Sequence, residues 1–107
     1  MGWKPNFGRI KPRLAKQPKH IARVAGMGCL VCHGPAVVHH VTELGHGRIT
    51  RDDRYVVPLC ALHHNMGNDS IHLLGSNERF REVHDGIDLA READWQWTVS
   101  VNEGLAK

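Results

Sequence analysis

Three cysteines and nine histidines occur in a chain of 107 residues, and six of the histidines fall between positions 33 and 64. The cysteines come in short-spaced company. Cys29-x2-Cys32 is followed, after 27 residues, by Cys60-x2-His63. Two such pairs from two turns can close a tetrahedron around Zn2+, which favours soft or borderline ligands. On spacing alone the fourth ligand is His33, His63 or His64. An odd cysteine count and a C-x2-C spacing suit a metal better than a disulfide. Cysteines buried as small hydrophobes would be the plainer use, but that use gives no reason for all three to fall in short-spaced pairs. With His63 assigned to zinc, His39, His40, His64 and His72 remain, with His46 in a polar stretch. A histidine pair ending one strand and a histidine starting the next helix can face each other across a hairpin. That arrangement suits metal-assisted phosphodiester hydrolysis, in which ligands hold a divalent cation against the phosphate and a neutral imidazole takes the proton of the attacking water. A reference pKa of about 6.5 places histidine near the working pH for that task.

The elements that must bring these residues together are legible in outline. "KHIARVAGM" (19–27) predicts a short helix with Ile21, Val24 and Ala25 on one side. Gly26 and Gly28 then release the chain into the knuckle "CLVCHGP". "AVVHHVTE" is rich in β-branched residues and reads as a strand. "LGHGRITRDDR" is a polar loop, and "YVVPLC" a second strand with Pro58 near its end, where a missing N–H is tolerated. "ALHHNM" begins a helix that "GNDS" interrupts. "IHLL" and "SNERFREVH" read as helical, and Asp88 is placed to cap a last helix. Adjacent strand residues point to opposite faces, so His39 and His40 can share one site only where the strand ends or bulges.

Charge divides the chain. Residues 1–42 carry seven Lys/Arg and no acid, while residues 43–107 carry seven against eleven Asp/Glu, so a segment of +7 precedes one of −4. Residues 1–18 contain three prolines and no apolar period, which predicts an irregular basic arm. Such an arm suits a polyanion, where cations neutralise phosphates and release counterions. Lys4, Arg9, Lys11, Arg13, Lys16 and Lys19 are its candidate contacts, with Arg48, Arg51 and Arg54 in the loop between the strands. No stretch reads as a signal peptide or a membrane span, so a cytoplasmic setting with reduced cysteines is expected.

The runs "CLVC", "VVHHV" and "YVVPLCALHH" together resemble the HNH (ββα-metal) nuclease motif in its zinc-bearing form. "IHLLGSNERFREVHDGIDLA" is similar to the tail of small phage and prophage HNH proteins, including the group around the RecA-dependent recombination-enhancement nuclease. The resemblance covers roughly residues 27 to 92 and is most specific in the knuckle and the "HH…LCxxHH" pattern. It implies His39 as a ligand of a catalytic divalent cation, Mg2+ or another, and His40 as the general base. It implies Cys60 and His63, with Cys29 and Cys32, on structural zinc, and His64 on the catalytic metal. A further ligand expected four residues on is replaced by Asn68, whose amide oxygen can bind a hard cation, and His72 is the other candidate. The asparagine of the family name aligns with Tyr55, a departure that leaves Asp52 or Asp53 as substitute braces for the loop, or a loop held differently.

These observations together predict an α+β domain with a zinc-stapled ββα core (residues 19–107), flanking helices and a basic N-terminal arm (residues 1–18). The expected activity is that of a metal-dependent DNA endonuclease or nickase with little base specificity. By resemblance it would be encoded by a phage or prophage, with DNA and a recombinase filament or another phage or host recombination protein as partners. The rival from another class is a non-catalytic zinc module that binds nucleic acid or a partner protein. That rival accounts for the Cys/His quartet and the charge, but not for His39, His40 and His64 together.

Overall fold

The computed structural model describes residues 16–41 and 52–106. Of the sequence candidates, Lys4, Arg9, Lys11, Arg13, His46, Arg48 and Arg51 lie outside that range. Among the described residues the chain is a small α+β fold. It has a two-stranded antiparallel sheet, four α-helices and one π-helical turn. None of these helices is long and apolar enough to cross a membrane.

The first helix, α1 (Pro18–Ala25), starts where Pro18 stands at its first turn, a position that needs no N–H donor. His20 and Val24, four apart on one face, are its buried residues. Gly28 then turns with φ +87°, and a Cβ there would meet the His33 carbonyl oxygen at 3.0 Å, so glycine is required. The knuckle closes on itself by Cys29 N–H to Gly34 O (2.8 Å) and His33 N–H to Cys29 O (2.9 Å).

β1 (Val37–His40) pairs with β2 (Val56–Leu59), setting His39 opposite Val57 and His40 opposite Val56. All four residues of β2 are buried, because α1 and the C-terminal helix both pack on it. Pro58 has no N–H to offer, and its carbonyl instead accepts the N–H of Leu30, fastening the knuckle to the strand at 3.1 Å. The π-helical turn (Leu62–Met66) follows β2 directly. It gives way to α2 (Ile71–Leu74) and α3 (Asn77–Val83), each capped by a serine hydroxyl, Ser70 and Ser76. α4 (Leu89–Asn102) is capped by the Asp88 carboxylate, which accepts the N–H of Arg91. The interruption expected at residues 67–70 and the Asp88 cap are thus both present.

Cys29, Val41, Val57, Leu59, Ile71, Phe80, Leu89 and Ala93 form one apolar core. A buried polar chain completes it. The His20 Nε2–H donates to the Arg54 carbonyl (3.0 Å), leaving Nδ1 to accept the Ser100 hydroxyl (2.6 Å). The Ser100 oxygen in turn accepts the Arg23 Nε–H at 2.9 Å, and the Arg23 guanidinium also donates to the carbonyl and side chain of Gln96. Each buried polar group in that chain has a partner, as burial demands. α1 and α4 are thereby locked to the turn that leads into β2.

Candidate metal centres

The knuckle and the start of the π-helical turn bring Cys29, Cys32, Cys60 and His63 together, with their ligating atoms all within 4.8 Å of one another. Cys32 Sγ lies 3.6 Å from Cys60 Sγ, and His63 Nδ1 lies 3.6 Å from Cys29 Sγ and 3.2 Å from Cys60 Sγ. The sulfur separation is far beyond the ~2.05 Å of a disulfide, so the atoms converge without bonding to each other. This quartet could bind a metal ion. Of the three histidines open on spacing, His63 is the one in the quartet; His33 is exposed, with φ +66°, on the knuckle turn, and His64 belongs to another group.

The electrostatics of the quartet favour a cation. Burial works against a Cys29 thiolate, but backbone N–H groups of Cys32, Cys60 and Val31 and the His63 ring lower its pKa to about 6. At Cys32 the Gly34 N–H favours the thiolate, yet the Cys60 and Cys29 sulfurs outweigh it and push the pKa up. Three sulfurs this close resist carrying three negative charges unless a positive ion sits among them.

The ring of His63 is held from behind. His84 stands edge-on to it, with centroids 5.4 Å apart, and stacks obliquely on Phe80 on its other side. The His84 Nε2–H donates to the Asp69 carbonyl at 2.7 Å, which ties α3 to the turn before α2. His63, Asp69 and His84 also have ligating atoms within 4.8 Å of one another, a further group that could hold a metal ion. The sequence offered no signal for His84, because its role depends on α3 folding back over the turn.

His39, His64 and His72 form a second group, again with ligating atoms within 4.8 Å. They arrive from three elements: β1, the π-helical turn and α2. The Nε2 atoms of His64 and His72 are 3.1 Å apart, and the His39 ring lies 5.2 Å and 5.6 Å from those of His64 and His72. Burial and the three neighbouring imidazoles, His64, His72 and His40, lower the pKa of His39 to about 4. It is therefore neutral near pH 7, with a lone pair available to a metal. Of the two candidates for the further ligand, His72 stands in the group and Asn68 lies in the turn before α2, and both are exposed.

β1 ends at His40, and the two adjacent rings take different neighbours. His39 joins the imidazole group, whereas His40 Nε2 lies 3.0 Å from Asp53 Oδ1. The other oxygen of Asp53 accepts the backbone N–H of Gln17 at 3.2 Å. Burial opposes the charge on Asp53, but the bonds from His40 and Gln17, with Lys16 nearby, hold its carboxyl below the usual range.

The position expected to need bracing is braced by Asp52. Its carboxylate accepts the backbone N–H and the guanidinium of Arg54, and its carbonyl accepts the N–H of Tyr55. Tyr55 O then receives the Val41 N–H at 2.9 Å, extending the pairing one step past β1. The Arg54 guanidinium is engaged at 2.7 Å by Asp52 and lies over the Tyr55 ring, so in this state it holds the turn. Lys16 and Lys19, by contrast, are exposed at the start of α1.

No family model, curated protein or solved structure matches this chain.

Proposed function

We propose that the protein is a metal-dependent endonuclease or nickase that hydrolyses DNA phosphodiester bonds, with a structural zinc beside the catalytic centre. The observation that carries this reading is the juxtaposition of a three-imidazole group, His39, His64 and His72, with a separate carboxylate-paired histidine, His40, at the end of one strand.

Donor chemistry supports a metal in each group. With Zn–S about 2.3 Å and Zn–N about 2.0–2.1 Å, the edges of a tetrahedron come to about 3.8 Å between sulfurs and about 3.6 Å between sulfur and nitrogen. The quartet shows 3.6 Å between sulfurs and 3.2 and 3.6 Å between sulfur and nitrogen. Three sulfurs and an imidazole with no place left for water suit structural zinc. The same arithmetic for two imidazoles gives about 3.3 Å, against 3.1 Å between His64 and His72. Three nitrogens and no carboxylate favour a transition ion such as Fe2+, Ni2+ or Zn2+ over Mg2+. A divalent ion held by His39, His64 and His72 would supply Lewis-acid stabilisation of charge on the scissile phosphate.

The chain's own residues do the rest. His40 accepts a proton from water through a ring nitrogen as the new P–O bond forms. The bond to the leaving oxygen breaks with its electron pair, and solvent returns a proton to that oxygen. Asp53 stabilises the imidazolium that results. Lys16 and Lys19, with the basic segment before them, would hold the anionic backbone near this end of β1.

Supercoiled plasmid incubated with the purified protein and each divalent ion in turn tests the proposal. Nicking that depends on added ion, and that disappears in His40→Ala and His64→Ala, is the expected result. If binding to DNA persists but no ion supports cleavage, the chain is a zinc module that binds nucleic acid without cutting it.

A further inference from the structure

We propose that Asp53 is a positioning residue that selects the catalytic nitrogen of His40 and ties the root of the basic arm to the same point. The proposal deepens the nuclease reading and rests on it. A carboxylate accepts hydrogen bonds and donates none. The 3.0 Å contact between Asp53 Oδ1 and His40 Nε2 therefore places the ring proton on Nε2. Nδ1 is left with its lone pair, so Nδ1 is the atom that receives the proton of the attacking water. Without Asp53 the choice of tautomer would fall to solvent, and a share of the molecules would present an N–H where a base is needed.

The second oxygen of the same carboxylate has its own task. It accepts the Gln17 backbone N–H, one residue before α1 and one after exposed Lys16. Gln17 is itself buried. The arm therefore joins the folded domain at the histidine pair and not at a remote edge. On sequence Asp53 stands only beside Asp52 as a substitute brace for the loop, and it is Asp52 that bonds to Arg54 and Tyr55.

Imidazole 15N spectra of the zinc-loaded full-length chain above pH 7.5 read the tautomer directly, with the His40 signals assigned by their absence in His40→Ala. The wild type should show a protonated Nε2 and a bare Nδ1. Asp53→Ala should show a mixture of tautomers, and its kcat should fall about 10- to 100-fold with KM changed by less than about threefold, the range seen when outer partners of functional histidines are removed. Asp53→Asn has one acceptor oxygen for two donors; the Gln17 N–H, which can only donate, takes it, so the amide NH2 faces the ring and the tautomer should move to Nδ1–H with kcat lost. A wild type protonated on Nδ1, or an Asp53→Ala protein with unchanged tautomer, would overturn the proposal. A purely structural role would lower stability and leave the tautomer where it was. Should the wild type cleave nothing with any ion, the nuclease reading fails alone, and the spectra still decide whether Asp53 sets the ring.

Discussion

Two of the groups that could hold a metal ion, the quartet and the trio, differ in almost every respect that chemistry uses. The quartet is rich in sulfur, anchored by a fully buried Cys29 and braced behind His63 by His84. The trio is all nitrogen, drawn from three elements, with His72 exposed. A closed set of four soft ligands holds a fold together, whereas three ligands leave a position for substrate or water. The contrast teaches that ligand number and type, more than the presence of a metal, separate a staple from a catalytic centre.

The largest expected effect is therefore on the staple. Cys29→Ser or Cys60→Ser should unfold or aggregate the protein, as should a strong chelator, because affinity on the order of 10 kcal/mol for structural zinc is folding free energy. A Cys29→Ser protein that melts like the wild type while metal-free would remove the distinction between the two groups.

Changes in the trio or at the neighbouring His40 should spare the fold and impair cleavage. His40→Ala should lose about 10²- to 10⁴-fold in rate while retaining the catalytic metal. His39→Ala and His64→Ala should lose activity by losing that metal, measured by metal content and titration of each purified variant. If His40→Ala sheds the metal and His39→Ala keeps it, the two roles are exchanged.

The arm should matter less. Deleting residues 1–15 leaves Gln17 on Asp53 but removes four of the five cations before α1. DNA affinity should weaken, and the slope of log affinity against log salt should flatten by about 0.9 for each phosphate the chain no longer neutralises. A slope that stays the same would place the arm off the nucleic acid.

The smallest effect belongs to a residue in neither group. Burial, aided by Arg23, lowers the pKa of His20, although the Arg54 carbonyl and Asp53 oppose it. The unfolded chain then takes up a proton on this ring at a higher pH than the native protein does. Stability from neutral His20 is complete above the unfolded value of about 6.5 and is lost as pH falls below it. His20→Gln should be less stable at pH 7.5 but lose less on going to pH 5.5 than the wild type, by chemical denaturation. Protonation of zinc ligands is common to both proteins and cancels in that difference.

Much of this was legible in local sequence. Cys29-x2-Cys32 and Cys60-x2-His63 pointed to a cluster that could bind a metal ion, because side chains three apart on a turn converge through short-range geometry alone. The β-branched runs, the break at 67–70 and the Asp88 cap likewise follow from neighbours along the chain. What local pattern left open was settled by packing between distant segments. Period two separates His39 from His40, but only the placement of the π-helical turn and α2 beside β1 gives His39 its imidazole companions. Local pattern gave His20 no role, and it lies buried with Ser100, eighty residues away, as a partner.

The sequence by itself determined the ligand types, the turns that present them and the division of charge, since each depends on residue chemistry and on spacing of a few residues. Only the tertiary structure decided which histidine joins the sulfurs, which three imidazoles meet, and that Asp53 faces His40. Those pairings join residues from different elements, and their distances are set by how buried β2 is packed from both sides, which no local spacing records.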